Sequence, residues 1–287
     1  MDFILTAIVN GLLSGAVYVL VAIGLTLIYG VLHIINFAHG SLLMLAMYAS
    51  FFLWRDLHVD PYLALPVVTV GAFLAGYVLY RAVIGRFSAG KDENILLITL
   101  GLSIIAENAA LFFFASDTRT VATAYSDAML EVGPVLLSFP KVVSFFGALV
   151  LCMILGLFMR YSDTGRAIRA VAKERLGARL SGIDVDFMYA VSYGIGIACL
   201  GAAACLLMPS FYVSPSVGNS FVLVAFTTVV LGGMGSFAGA LAGGMLIGVA
   251  ESVSSAFFGE QLGQIAIPML FILVLLFRPT GIFRGTQ

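Results

Sequence analysis

Few residues in this chain are equipped for chemistry, and those few sit in apolar surroundings. The run Ile34-Ile35-Asn36-Phe37-Ala38-His39-Gly40-Ser41 puts an amide, an imidazole, a glycine and a hydroxyl side by side between two hydrophobic stretches. Glu107, followed by Asn108, and Glu251, followed by Ser252, lie inside other such stretches. None of these builds a reaction centre, because no nucleophile stands beside a paired base and His33, His39 and His58 lack metal-ligand spacing. Cys152, Cys199 and Cys205 all fall within apolar segments with no CxxC spacing, so they read as core-filling residues rather than a disulfide or zinc framework. Gly85–Asp92 comes close to the phosphate-cradling pattern GxxxxGK followed by Ser or Thr, but Asp92 replaces the hydroxyl residue and would repel phosphate. The segment before it also reads as a membrane helix rather than a strand. The sequence therefore leads us to expect no catalytic residue, no metal site and no cofactor or ATP bound by this chain.

What must position these residues is set by composition. Hydrophobic residues make up 61% of the 287 positions and charged residues 10%, against roughly 25% charged in an ordinary soluble domain. The apolar stretches repeatedly reach the roughly 20 residues that span a bilayer's hydrocarbon. The expected class is all-α, a polytopic membrane protein, with the lipid bilayer as its solvent. Net charge is -1 and the basic residues are scattered, so no stripe offers itself to nucleic acid. The start, Met1-Asp2-Phe3, lacks the positive region of a cleavable signal, so the first apolar stretch is expected to stay.

Runs broken by charge, Pro and Gly place segments near 3–32, 40–54, 62–80, 94–116, 140–160, 188–208, 221–258 and 263–278. The stretch 221–258 is too long for one span and is interrupted at Gly232-Gly233-Met234-Gly235-Ser236, giving nine pieces, of which about eight are expected to cross fully. The whole of 1–287 reads as a single transmembrane domain. Loops after Tyr80, between Met159 and Phe187, and after Phe277 hold eleven of the fourteen basic residues, while Arg55, Arg119 and Lys141 lie on the other side. The positive-inside rule then puts those three loops in the cytoplasm. The N-terminus faces outward if the break at 232–236 turns the chain back. The outer loop 117–139 carries Asp117, Asp127 and Glu131, which either meet a partner protein or are simply solvated.

Residues 163–182 read as one amphipathic helix, with Ile168, Ala172, Leu176 and Leu180 at spacing four, Asp163 as N-cap and Gly182 as the stop. Such a helix either lies on anionic headgroups or docks its face into a groove on a soluble partner. Asn36, His39, Gly40 and Ser41 are candidates for a transport path, since polar groups at membrane depth are costly and irregular backbone survives there only around protein or water. The alternative is that Asn36 and His39 cap helix ends at the interface. Glu107, Asn108 and Glu251 are further path candidates, or groups bonded near a helix end. Gly235, Gly239 and Gly243, at spacing four, read as a close-packing seam between helices, as do Gly11 and Gly15.

Five stretches together carry a resemblance: GLTLIYGVLHIINFAHGSLLMLAMY (24–48), NILLITLGLSIIAENAALFFF (94–114), GRAIRAVAKERLGARLSGID (165–184), VVLGGMGSFAGALAGGMLIGVAES (229–252) and RPTGIF (278–283). In order and over nearly the whole chain they resemble the LivH-type permease subunit of branched-chain amino-acid ABC importers. INFAHG and LGGMGS with GALAGG are its specific parts. The resemblance implies a second related permease in a heterodimer, two cytoplasmic ATPases that use the ATP, and an extracytoplasmic substrate-binding protein, all at a bacterial inner membrane. It makes 161–187 the coupling loop, with Arg166, Arg169, Lys173, Glu174, Gly177 and Gly182 as candidates for engaging an ATPase. The glutamate-alanine-alanine order usual in such loops is absent. Ser41 stands where relatives often carry an acid, and Glu107 where they often carry an amide. The rival readings are an ion-coupled secondary carrier that uses Glu107 and Glu251, and an ABC permease for other amino acids, urea or short amides.

Overall fold

A computed structural model gives the protein's structure, described for residues 2–87, 92–133, 135–263, 265–278 and 281–282. In chain order the elements are α1 (Asp2–Leu32), α2 (His39–Leu57), α3 (Pro61–Leu79), a π-helical turn (Tyr80–Ile84), α4 (Gly85–Phe87), α5 (Asp92–Phe114), β1 (Met129–Val132), β2 (Val135–Ser138), α6 (Phe139–Tyr161), α7 (Asp163–Lys173), α8 (Arg175–Leu180), α9 (Val185–Leu207), α10 (Val217–Gly232), α11 (Phe237–Phe258), α12 (Glu260–Gly263) and α13 (Ala266–Phe277). All nine segments expected from the sequence are helices. By length and composition six can cross a membrane: α1, α3 with its extension to Phe87, α5, α6, α9 and α11. The apolar helices α10 and α13 are shorter. Residues 88–91, which are half of the near-match to a phosphate loop and include Lys91, lie outside the described residues, as do Arg284 and part of the motif at 278–283.

Helix ends follow side-chain chemistry. Asp60 caps α3 by accepting the Tyr62 N–H at 2.9 Å, with Pro61 in the first turn, where a missing N–H costs nothing. Asp184 caps α9 through Phe187 N–H at 3.0 Å, and Ser236 caps α11 through Gly239 N–H at 3.1 Å. In the four-residue break between α10 and α11, Gly233 and Gly235 have φ of 95° and 82°, a conformation that side chains with a Cβ resist.

Two helices form the centre. α1 and α9 are almost wholly buried, while α3, α5, α6 and α11 bury few of their residues completely. The outward stripe of α3 is Leu63, Val67, Val70, Leu74 and Val78, apolar throughout, as befits contact with lipid. Lipid tails remove the hydrophobic drive between helices, so backbones must approach closely enough for dispersion to hold them. Glycines make that approach. A Cβ at Gly11 would fall 2.6 Å from Val249 Cα, and one at Gly15 would fall 2.9 Å from Gly244 O and 3.0 Å from Met245 Cα, so α1 and α11 run antiparallel almost in backbone contact. The close pair Gly232–Gly239 and the approach of Gly243 to Thr228 O, 2.8 Å from an added Cβ, bring α10 and α11 together antiparallel. The chain therefore does turn back at 232–236.

The loops sort into two ends. At one, Gly30 faces Gly235, Ile282 N–H bonds Leu231 O at 2.8 Å, and Tyr80 packs against Tyr189 and Tyr193. This basic end carries Arg81, Arg86, the α7–α8 loop and Arg278. At the other, the outer loop is strapped down. Tyr125 donates to Asp60 at 2.6 Å and stacks on Tyr62 at 5.5 Å, and Arg119 pairs with Val213 through the backbone. Burial and the Asp60 carboxylate push the Tyr125 hydroxyl above the ordinary phenol range, so it stays a donor. Arg119 also lies over the rings of Phe51, Phe52 and Phe114 at 5.6–5.8 Å.

Two local expectations change. The outer loop contains the antiparallel hairpin β1–β2, pairing Met129 with Ser138 and Val132 with Val135. The single helix expected over 163–182 is two. Glu174 takes φ -154° and ψ 105°, and its carboxylate accepts Leu176 N–H at 3.1 Å, starting α8 afresh. Ser162 rather than Asp163 caps α7, accepting Gly165 N–H at 2.9 Å.

The glycine contacts are directly testable by thermal unfolding of the detergent-solubilised protein. Gly15→Leu should destabilise by about 1–3 kcal/mol or more through overpacking against α11. Gly71→Leu on α3, where an added Cβ meets nothing within 4 Å, should leave the midpoint nearly unchanged.

Candidate functional site

The INFAHGS segment is where the chain breaks inside the membrane. α1 ends at Leu32, His33 takes φ 58°, and residues 33–38 run back alongside α1. His39, the first residue of α2, bonds the carbonyl of Val21 at 3.0 Å through Nε2. Val21 lies eleven residues before the end of α1, so α2 starts about 16 Å deep, at 1.5 Å per helical residue. α10 starts at the same depth, because Gly40 and Gly218 meet backbone to backbone: a Cβ on Gly218 would lie 2.7 Å from Gly40 C and O. From this contact α2 runs to the strapped end and α10 to the basic end. Two helix N-termini thus meet in the middle of the protein.

Starting a helix at this depth leaves N–H groups that water would otherwise satisfy. Asn36 Oδ1 accepts the Ala38 N–H at 3.1 Å, and Thr99 Oγ1 of α5 accepts the Phe37 N–H at 3.3 Å. Two turns of α5 further on, the stripe Thr99, Ser103, Glu107 is complete at spacing four, one face of one helix. Each member serves a different element. Thr99 holds the segment before α2, Ser103 bonds Ser41 within α2 at 2.7 Å, and Glu107 accepts from Asn219 Nδ2 of α10 at 3.2 Å. The result is a polar seam. Asn36, His39 and Thr99 are fully buried and Ser41 nearly so, while Glu107 is half-buried and Asn108, Ser216, Asn219 and Ser220 are exposed. The seam runs from a sealed inner part to an open outer part.

The structure brings Asn36, His39, Gly40, Ser41 and Glu107 into this one place. Asn36 there holds the Ala38 N–H ahead of α2, His39 anchors α2 to α1, and Gly40 makes the contact with Gly218. Asn108 is one residue beyond Glu107 and bonds its own helix at Ile104 O, 2.8 Å. Glu251 stands apart, on α11 against the Tyr18 hydroxyl of α1. Gly239 and Gly243 face α10, whereas Gly235 lies in the preceding turn, 3.6 Å from Gly30 Cα to a built Cβ. Sequence reading missed Thr99, Ser103 and Asn219. The signal of the first two was the fourfold spacing along α5 ending on an acid, hidden because Thr and Ser are unremarkable in membrane helices; Asn219, on α10, left no such signal.

At the basic end α7 buries Ile168 and Val171 against the core. Arg169 caps the end of α6 by donating to the carbonyls of Met159 and Arg160, and Arg166 pairs with Asp163. Arg175 lies over Tyr189 at 5.2 Å, and Arg179 reaches Asp186 at 3.9 Å. Lys173 and Glu174 are exposed, Gly177 packs on the Glu174 side chain, and Gly182 ends the loop with φ 83°. α8 presents Leu176 and Leu180, 65% and 81% exposed, one turn apart. The expected apolar face is therefore divided: its first half is spent inside the protein, its second half points out. Among the described residues no group of His, Cys, Asp and Glu could hold a metal ion.

The sequence matches the family described as branched-chain amino acid transport system, permease component, over residues 7–277. The high-affinity branched-chain amino acid transport system permease protein BraD of Pseudomonas aeruginosa is 34% identical across 97% of this chain and 95% of its own length. The corresponding LivH proteins of Escherichia coli and Salmonella typhimurium are each 32% identical across 98% of this chain and 95% of theirs. No solved structure matches. The multi-pass helical build, the break at INFAHG and the match over nearly the full length agree, and the chain belongs to the branched-chain amino-acid transport permease family.

Proposed function

We propose that this chain is one permease subunit of an ATP-driven importer that carries branched-chain amino acids into the cytoplasm across a bacterial inner membrane. The observation that carries the reading is the seam where α2 and α10 start at membrane depth against the Thr99–Ser103–Glu107 stripe. Discontinuous helices with polar groups at their meeting point make a site at which a solute can exchange hydrogen bonds without leaving the membrane. The exposed polar face around Glu107, so unlike the apolar face of α3, is the side that a second, homologous permease covers. On this reading the path lies between the two subunits.

The basic end faces the cytoplasm and takes the two ATPases, which bind and hydrolyse the ATP. Leu176 and Leu180 on α8 supply an apolar anchor for that contact, and α7, rooted in the core by Ile168 and Val171, transmits the movement. The strapped end, with Asp117, Asp127 and Glu131 exposed on its loop, receives the substrate-binding protein. The names of the relatives support the substrate, and the seam itself supports transport of a small polar solute in general.

Uptake of labelled leucine, isoleucine and valine into proteoliposomes holding this chain and its genetically adjacent partners tests the proposal. Accumulation should require both ATP and the binding protein. Uptake driven by a proton gradient without ATPases would replace it with an ion-coupled carrier. The coupling surface has its own test: Leu176→Asp with Leu180→Asp should abolish co-purification of the ATPases and ATP-driven uptake while leaving the unfolding midpoint within a degree or two, as expected for exposed positions. Retention of the ATPases would place their contact elsewhere.

A further inference from the structure

The open end of the seam holds a carboxyl group that forms no ion pair among the described residues. Glu107 lies on α5, seven residues before its end at Phe114, and so about 10 Å inside that end. A carboxylate at this depth is costly unless paired. Among the described residues the ion pairs are Arg55–Asp56, Arg166–Asp163 and Arg179–Asp186, all distant in sequence from Glu107. Its hydrogen-bond partner is the neutral amide of Asn219 at 3.2 Å, on the first turn of α10. That helix start offers partial positive charge, enough to hold a carboxylate in place but not to cancel it.

The surroundings are built for a solute rather than for lipid. Glu107 is half-buried, and Asn108, Ser216, Asn219 and Ser220 stand exposed around it. Such groups cannot face hydrocarbon without a partner. In the buried inner seam below, Asn36 and Thr99 accept backbone N–H groups just before α2 and His39 bonds Val21 O of α1, and none of the three brings a carboxylate. Glu107 is thus the one acid among the described residues of the seam, and it stands at its open end.

We infer that Glu107 is a specificity-determining residue, selecting solutes that carry an ammonium group over neutral ones such as urea and short amides. The inference rests on the importer reading and deepens it. The carboxylate accepts hydrogen bonds from the ammonium of an amino acid as it passes the start of α10, and Asn219 positions the carboxylate for that contact. A solute without the cation leaves Glu107 unpaired and gains nothing from it. The substrate-binding protein selects among side chains; Glu107 discriminates by the charge common to all amino acids.

Two measurements on the complete importer test this. Glu107→Gln keeps an acceptor for the Asn219 amide and removes the charge. It should lower the leucine uptake rate at limiting solute by roughly tenfold, the order of one charge-assisted hydrogen bond. Adding Asn219→Asp, which returns a carboxylate from the other side of the pair, should restore most of the loss. A purely structural pair would show neither effect. The second measurement does not depend on transport. With Ser216→Cys as a reporter one turn from Asn219, and the three native cysteines buried, the rate ratio of a cationic ethylammonium thiosulfonate to an anionic sulfonate analogue is measured with and without Glu107→Gln. The ratio should fall severalfold when the carboxylate is removed. An unchanged ratio, or parental leucine uptake by Glu107→Gln, overturns the assignment. Absence of ATP-dependent uptake in the unsubstituted complex overturns the importer reading instead, while the reagent ratio still decides the role of Glu107.

Discussion

The hydrogen bond from Phe37 N–H to Thr99 Oγ1 stands for the constraint on which the rest of this structure depends. Within a bilayer's hydrocarbon no water completes a broken backbone, so a helix can begin there only if other protein groups take up its loose N–H groups. Asn36 supplies one acceptor from the segment itself and Thr99 another from a neighbouring helix. His39, bonded to Val21, fixes how deep the start lies. Once these are in place α2 is held at mid-depth, α10 can meet it at Gly40 and Gly218, and α5 must run alongside with its polar stripe turned inward.

This makes the division of labour among helices intelligible. α1 and α9 are central and held by glycine-mediated approach, where loss of a side chain gains contact over a long stretch of backbone. α3 and α6 lie outside them and show lipid an apolar surface. α2, α5 and α10 hold the polar groups. Close packing therefore resides chiefly in one set of elements and the buried polar groups in another. A similar separation exists within the loop at the basic end. α7 belongs to the membrane body through Ile168 and Val171, α8 belongs to the surface through Leu176 and Leu180, and Glu174 is the joint between them.

Much of this was legible in the residues. Apolar runs located the nine apolar helices because the bilayer admits few other structures, and the glycine cluster at 232–236 correctly marked the reversal. The segment 34–41 announced a break by placing an amide, an imidazole and a glycine where hydrocarbon should be. What escaped was contact across distant sequence. Nothing near Thr99 or Ser103 says that they face residues 37 and 41, and Asn219 pairs with Glu107 across more than a hundred positions. The helix at 163–182 was misread because periodicity continues through Glu174 even though the backbone does not, a local capping event overriding a longer pattern. The hairpin at 129–138 escaped because strands of four residues leave no periodic trace among apolar segments.

The meeting of Gly40 and Gly218 has a consequence for how such a protein can change over generations. That contact brings the two main chains together with Val222 Cβ close beside Gly40, so it leaves no room for a side chain at either glycine. The stripe on α5 can be altered one position at a time, since Thr99, Ser103 and Glu107 answer to separate neighbours. Substitution at Glu107 therefore leaves the bonds made by Thr99 and Ser103 in place, and with them the start of α2. The architecture separates the mutable from the indispensable within a single turn or two of helix.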